Sequence, residues 1–541
     1  MTWIIFFAVL STLFAGWRAG RRMRFFLHIF QLEGYKRSAF LQWLFARPLD
    51  VLVRRSHQVG LLLLVLAGIG YTVTPFWTTV LLLPLWTVSF VSSKRYRQSR
   101  EKKPLAYTNR LKRLIGTTGL LALVPVTMGA WWGFHAPGLW GFLPYLGGFF
   151  LADLAAPLWV VGASVLLAPL EHYFQVGFKR QARQTLLARP DLKIVAVTGS
   201  YGKTSVKFLI AEVLRLRYNV LATPGSYNTP MGICRVVNNQ LRPEHQVLVL
   251  EMGARFRGDI AELCDLAQPD ISVVTSVGVA HLETMGPIEQ IALEKSTVIS
   301  RLNPDGVAVL NADDPRVEAM AQLAPGAVWR VSTGEALAPD LLASEIRYGP
   351  DGARFEVRDE AGHEATFQTS LLGRHNVQNI LLALAVGRAL GLRLRQMTHA
   401  VARLQPVAHR LALREENGVT IIDDAFNSNP VGAKNAVEIL GQFKSGRRVI
   451  VTPGMVELGE RQWVENQAFG ALIAHHTDLA ILVGERQTAP IQDGLKQEGF
   501  AGDRLKIVAT LFEAQDFLRT YLRPGDVVLY ENDLPDQYNE S

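Results

Sequence analysis

KIVAVTGSYGKTSVKFLIAEVL, residues 193–214, decides how the rest of the chain is read. Residues 194–197 are small or β-branched and apolar, the pattern of a strand buried on both faces. Thr198-Gly199-Ser200-Tyr201-Gly202-Lys203-Thr204-Ser205 follows without a gap, and Val206, Ile210, Val213 and Leu214 then recur at helical spacing. Strand, glycine loop and helix in this order are the setting of a phosphate-binding loop. Glycines let main-chain N–H groups close around phosphate oxygens, and the helix N-terminus adds partial positive charge. Gly199, Ser200, Gly202, Lys203, Thr204 and Ser205 are therefore expected to hold a nucleotide. Lys203 would meet the outer phosphates, and the Thr204 hydroxyl would ligate Mg²⁺. The long form of the loop, GxxxxGK[ST], asks for glycine at position 197, where Val197 stands. A chance glycine-rich turn accounts for the glycines but not for the whole order of elements.

A chain of 541 residues holds several domains, and three are expected here. Only 19% of residues are charged and 49% are hydrophobic, which is apolar for a soluble enzyme and directs attention to membrane spans. The net charge of +8 suits an anionic lipid surface or an anionic substrate. Nothing in the motifs points to nucleic acid. Cys234 and Cys264 are the only cysteines and form no CxxC pair, so they read as reduced, buried thiols rather than a zinc site.

The N-terminal third is where the apolar residues gather. Residues 3–17, 59–71, 76–91, 114–134 and 139–170 are apolar runs, the last with candidate breaks at Pro144 and Pro157. A span needs about 20 apolar residues, so the first three runs must borrow from their flanks. Arg18 to Arg24 follow the first run, whereas a cleaved leader carries its positive charge in front. The basic clusters at 18–24, 54–55, 94–113 and 179–183 all lie between or after the runs, and positive loops stay in the cytoplasm. Five spans with the N-terminus outside satisfy every cluster and leave the phosphate loop inside, with ATP. Trp131, Trp132, Trp140 and Trp159 read as interfacial anchors, and residues 171–189 as a basic amphipathic connector. Asp153 is the one charged residue within the runs and faces either a groove or a helix partner.

Beyond the loop, strands and helices alternate. Residues 247–250 read as a strand ending at Glu251, and 271–276 as another ending near His281. Ligands gather at the carboxyl ends of parallel strands, so both fall where the phosphate loop opens. Thr204, Glu251 and His281 make a candidate Mg²⁺ shell, although magnesium favours oxygen ligands. Residues 337–370 read as a small β excursion.

Several segments together resemble the Mur ligases, ATP-dependent enzymes that join an amino acid or peptide to a carboxylate. These are TGSYGKTS at 198–205, Asn228-Thr229-Pro230-Met231-Gly232, Glu251-Met252-Gly253-Ala254, Ala280-His281-Leu282-Glu283 and Ile291-Ala292-Leu293-Glu294-Lys295. Asn311-Ala312-Asp313-Asp314, Gly373-Arg374-His375-Asn376-Val377-Gln378-Asn379, His409-Arg410 and Asp423-Asp424-Ala425-Phe426-Asn427-Ser428-Asn429-Pro430 complete the set. The resemblance implies that Lys295 is carbamylated and holds a second Mg²⁺. It implies that Asn376 contacts nucleotide, although Asn376 also reads as a helix N-cap. It brings Arg410 to the phosphates, and Asp424 and Asn427 to the ribose and adenine. Pro453-Gly454-Met455-Val456-Glu457-Leu458-Gly459 is similar to a loop of the MurF branch, which adds D-alanyl-D-alanine to a UDP-linked muramoyl tripeptide. Two departures concern the acceptor: no UDP-binding domain precedes residue 191, and Glu531-Asn532-Asp533 stands where that branch has K-G-S-R.

The expected architecture is an α-helical transmembrane domain with its connector (1–190), followed by two α/β domains. These are a P-loop Mur-type ATPase domain (191–405) and a Rossmann-like C-terminal domain (406–541). The expected chemistry is carboxylate activation as an acyl phosphate, then coupling to an amine, with ATP and Mg²⁺ as cofactors. Lys203, His281, Lys295 and Arg410 would be catalytic; Thr204, Glu251, His281 and Lys295 would hold metal. The acceptor is expected to be a cell-wall peptide precursor of the MurF type, with an amine as the second substrate. A lipid-linked precursor or a poly-γ-glutamate-type acceptor is the alternative within this chemistry, and an ATP-driven transporter or regulatory ATPase the alternative outside it. The expected location is the cytoplasmic membrane, multi-pass, with the catalytic domains on the cytoplasmic side.

Overall fold

Strand β1 (Lys193–Thr198) runs through the middle of a mostly parallel sheet, as its unbroken apolar run requires, and five of its six residues are buried. The structure is a computed structural model that describes residues 2–45, 53–73, 83–91, 105–135, 139–279, 282–334, 338–349, 351–426, 428–456 and 458–533. Its contacts divide the chain into two units, residues 1–174 with 535–538, and residues 175–534 with 539–541. The division falls inside the helix Ala168–Leu187.

The second unit carries two sheets. Among the described residues, the first has nine strands in the order β2-β3-β1-β4-β5-β6-β7-β8-β9. They are β2 (Val220–Ala222), β3 (Val247–Glu251), β4 (Ile271–Val274), β5 (Val307–Asn311), β6 (Ala327–Ser332), β7 (Leu341–Gly349), β8 (Gly352–Asp359) and β9 (Glu364–Thr369). Strand β1 lies between β3 and β4, both parallel to it. The strand order therefore reverses beside β1, and a crevice opens at its carboxyl end, above the glycine loop. The expected β excursion is no separate module: β8 and β9 continue the same sheet as antiparallel strands. Helices Lys203–Leu214 and Arg374–Ala389 cover one face through Val206, Ile210, Val213, Ile380 and Leu384. Cys234 and Cys264 are buried and free, as their spacing suggests.

The second sheet has the order β10-β11-β15-β12-β13-β14. Its strands are β10 (Ala412–Glu416), β11 (Val419–Asp424), β12 (Arg448–Thr452), β13 (Leu479–Val483), β14 (Leu505–Val508) and β15 (Val527–Glu531). All pairs except β10–β11 are parallel. The carboxyl ends of β11, β15 and β12 thus stand side by side, at Asp424, Glu531 and Thr452.

The first unit is helical. The helix Thr2–Leu32 carries the first apolar run and its arginines, and Arg55–Val73 carries the second. The third run begins outside the described residues, with Leu83–Val91 inside them. By length and composition, one described helix, Asn109–His135, suffices to cross a membrane. Leu143–Leu154 and Ala156–Leu166 together make a second candidate bent by 72°. The five spans expected from the runs are therefore not reproduced among the described helices. The break in the fifth run falls at Ala155, not at Pro144, which is absorbed inside its helix. Pro157 sits in the first turn of the next helix, where its missing N–H costs nothing.

Gly129 and Gly148 let the helices Asn109–His135 and Leu139–Leu154 meet backbone to backbone. A Cβ on Gly129 would lie 2.3 Å from the Pro144 carbonyl oxygen, and one on Gly148 2.5 Å from that of Pro125. Asp153 faces a helix partner. Its Oδ2 accepts from Arg18 Nε at 3.1 Å and from His57 Nε2 at 2.7 Å, while His57 Nδ1 accepts from the Arg54 N–H.

Candidate functional site

The glycine loop forms as the sequence demands. Gly199 has φ +147°, and a Cβ there would lie 1.9 Å from Thr275 Oγ1. Gly202 has φ +79°, with Asn379 Oδ1 2.9 Å from the same virtual atom. Both positions therefore need glycine. The loop is tied to the end of β4: Ser200 N donates to Ser276 O at 2.8 Å, and Gly278 N donates to Ser200 Oγ at 2.8 Å. Tyr201 lays its ring against Gly278, and burial pushes its phenol up to about 12. Ser205 stands in the first turn of the helix that begins at Lys203.

Two lysines converge on one carbonyl. Lys203 Nζ donates to Gly199 O at 2.7 Å and Ser200 O at 3.1 Å, and Lys295 Nζ donates to Gly199 O at 3.0 Å. Lys295 projects from the helix Ile288–Ser300 and is 2% exposed, which excludes the solvent-facing lysine that the sequence alone permits. Burial pulls Lys203 down to about 8, with Arg410 adding to the fall and Glu251 opposing it. Burial holds Lys295 well below the ordinary lysine range, and the charge of Lys203 lowers it further. Two buried amines held only by main-chain oxygens suit a multiply charged anion.

Glu251 is buried at the end of β3. Asn228 Nδ2 donates to its Oε1 at 3.0 Å, and Lys207 Nζ reaches its Oε2 at 3.4 Å. Lys207 lies one helical turn after Lys203, is fully buried and also donates to Gly225 O. Sequence reading passed over it, although the four-residue spacing from Lys203 marks it as facing the same end of the sheet. The donor set fits magnesium in kind: the Thr204 hydroxyl and a carboxylate at the mouth of a phosphate cradle. His281 and Asn427, both expected at the site, lie outside the described residues.

The remaining expected residues divide. Arg410, from the stretch between the two sheets, donates from Nη2 to Thr204 Oγ1 at 3.3 Å, and its guanidinium lies 4.4 Å from the Phe426 ring centre. The C-terminal lobe thus reaches the phosphate loop through one arginine. Its neighbours His409 and Leu411 both have left-handed backbone, φ 61° and 48°. Asp424 accepts from Leu411 N at 3.2 Å, and burial pushes its carboxyl up to about 6. Asn376 does not cap its helix. Gly373 holds the cap position, and the Asn376 amide instead donates to Leu372 O at 2.8 Å. The Asn311–Asp314 segment braces the loop after β4. Asn311 Nδ2 donates to Thr275 O at 2.9 Å, and Asp314 Oδ2 accepts from Val277 N at 2.8 Å.

This arrangement has known counterparts. Residues 197–387 match the model of the Mur ligase middle domain, and residues 409–530 that of the Mur ligase glutamate ligase domain. The chain is 36% identical over 370 residues to the UDP-N-acetylmuramoyl-tripeptide--D-alanyl-D-alanine ligase of Mycobacterium leprae, covering 63% of this chain and 71% of that one. It is 28% identical over 390 residues to the ligase of the same name from Bacillus subtilis, covering 71% and 82%. Among solved structures, MurF from Acinetobacter baumannii superposes with a TM-score of 0.60 at 26% identity, covering 67% of this chain and 78% of that one. MurF from Thermotoga maritima in complex with ADP gives 0.60 at 27%, covering 68% and 82%.

Proposed function

This chain belongs to the Mur ligase family, and from that premise we propose that it extends a peptidoglycan-type peptide precursor in the manner of its MurF relatives. It is an ATP-dependent, amide-forming ligase, and such enzymes work with Mg²⁺. The observation that carries the reading is the cradle itself: Lys203 and Lys295 on Gly199 O, with Arg410 arriving at Thr204 from the other lobe. Lys203 and Arg410 would offset the repulsion between a carboxylate and a phosphoryl group brought face to face. When bound at Thr204 and Glu251, magnesium would supply further charge neutralisation at the outer phosphates. The acceptor carboxylate forms a bond to phosphorus as ADP leaves. An amine nitrogen then bonds to the acyl carbon, the C–O bond to phosphate breaks, and the amine proton passes to solvent. The left-handed residues around Arg410 offer a hinge through which the C-terminal lobe brings this arginine in and keeps water out.

The acceptor follows from two features read together. A helical unit stands before the ligase unit, and Glu531-Asn532 replaces the basic K-G-S-R end. Both favour a lipid-linked form of the precursor over a free UDP-linked one. Phosphate release from ATP by the detergent-solubilised full chain tests this with UDP-muramoyl peptides, lipid-linked precursors and free amino acids as acceptors. The expected result is stimulation by a muramoyl-peptide acceptor, strongest for the lipid-linked one. Stimulation by UDP-linked acceptor alone would restore the plain MurF activity, and stimulation by neither would end the proposal.

We further propose that the helical unit is embedded in the cytoplasmic membrane, with the ligase unit in the cytoplasm. Arg18, Arg22, His57 and Asp153 of this unit are buried, while Phe134 (90% exposed), Leu120 (69%) and Met128 (66%) face outward. Apolar surface costs about 25 cal/mol per Å² in water and nothing comparable in hydrocarbon. The protein is expected to remain in the membrane pellet after alkaline carbonate washing. Release into the supernatant would contradict this.

A further inference from the structure

Glu531 closes β15 at the centre of the second sheet and is 1% exposed. Among the described residues it has no cationic partner. Instead Ser428 Oγ donates to its Oε1, and Thr452 Oγ1 donates to its Oε2 at 2.7 Å. Ser428 belongs to the loop after β11 and Thr452 to the end of β12, so one carboxyl group joins the two loops that flank its own strand. The next residue repeats the pattern. Asn532 has left-handed backbone (φ 63°), its side chain donates to Gly454 O at 2.6 Å, and its N–H donates to Asp424 O at 3.1 Å. A buried acid without a charge partner is costly to keep, and an apolar residue would fill the space at less cost.

The loop so gripped is the one that meets Arg410. Asp424 accepts from Leu411 N, Phe426 N donates to His409 O at 3.1 Å, and the Phe426 ring stacks under the Arg410 guanidinium. Arg410 in turn reaches Thr204 of the phosphate loop. We propose that Glu531 and Asn532 are positioning residues that clasp the loops after β11 and β12 and so hold Asp424, Phe426 and Ser428, with Arg410 packed on the Phe426 ring, where Arg410 can meet the triphosphate. The proposal rests on the ligase reading above. It assigns a role to Glu531 and Asn532, which nothing in the site described above accounts for.

The clasp also has a chemical signature. Burial, reinforced by Asp424 from β11, pushes the Glu531 carboxyl up to about 8 against the opposing effect of the two hydroxyls. The group is therefore protonated at neutral pH and ionises in mild alkali. The other groups facing it, Ser428 and Thr452, are neutral. Ionisation places a second negative charge beside Asp424, and the two carboxylates on neighbouring strands then repel each other.

The test uses the full chain in detergent, with ATP affinity measured by calorimetry and ATP KM and kcat from acceptor-dependent phosphate release. Glu531→Ala is expected to raise the ATP KM about tenfold while kcat changes by less than about twofold. Glu531→Gln keeps the shape without the charge and is expected to restore the KM. Between pH 7 and 9 the wild type should lose ATP affinity more steeply than Glu531→Gln. Lys203 titrates in the same range but contributes equally to both, so the difference is the readout. Should Glu531→Ala fail to fold, Ser428→Ala and Thr452→Val each remove one arm and should each raise the KM severalfold. Unchanged KM in the folded variants, or identical pH profiles for wild type and Glu531→Gln, overturns the clasp. If Lys203→Met binds ATP as the wild type does, the nucleotide site itself is misplaced, which is a separate failure.

Discussion

Lys203→Met is expected to lower acceptor-dependent phosphate release by about two to three orders of magnitude, and at the same time to stabilise the nucleotide-free protein at neutral pH. The loss follows from geometry. Lys203 is the buried charge nearest the glycine cradle, and no other described side chain donates to both Gly199 O and Ser200 O. The gain follows from its environment. In the folded chain Lys203 loses its proton near pH 8 instead of the ordinary 10.5, because burial disfavours the charge. Between those two values the unfolded chain binds the proton more tightly, so this lysine's penalty on folding is full below pH 8 and fades as pH rises towards 10.5. The gap is worth on the order of 3 kcal/mol. Thermal unfolding of the wild type should therefore move to higher temperature from pH 7.5 to 9.5, and Lys203→Met should show a smaller rise. Lys295 is depressed in the same direction and keeps part of the slope. A variant that is both inactive and less stable would mean that Lys203 is structural.

Lys295→Ala is expected to cost at least about a hundredfold in turnover. Burial, with the charge of Lys203 beside it, biases Lys295 towards its neutral form, and a neutral amine is the form that adds to carbon dioxide. The carbamate that the family resemblance implies would place an anion beside the Lys203 amine and would offer a carboxylate oxygen to a metal ion. Removing bicarbonate should then slow the wild type and restoring it should recover the rate, with a carbamate carbon visible by NMR after labelling with ¹³C-bicarbonate. Full activity in Lys295→Ala, or no response to bicarbonate in the wild type, would refute the modification.

These two lysines mark where sequence reading reaches its limit. Lys203 is set by local order alone: a strand, a loop whose glycines have no substitute at φ +147° and +79°, and a helix. Lys295 sits nearly a hundred residues later, and its motif could not say whether it faced solvent or the cradle. The packing of the helix Ile288–Ser300 against β1 and β4 answers that. Arg410 was legible from its motif, yet its reach to Thr204 depends on how the two sheets of the ligase unit come together. Lys207 and Glu531 show the opposite case. Both stand in plain view in the sequence, but neither the spacing of Lys207 from Lys203 nor the position of Glu531 says that its charge is buried, because burial is defined by partners that only tertiary contact supplies.

By itself, the sequence determined the phosphate loop, the alternation of strands and helices, and the strand ends at which Glu251 and Asp424 stand. Those features depend on side-chain periodicity and on glycine stereochemistry, which act over a few residues. Tertiary structure alone decided which charges are buried, that two amines share one carbonyl oxygen, and that a single carboxyl group binds two loops. Burial, and the proton affinities that follow from it, is a property of the neighbours that folding brings near.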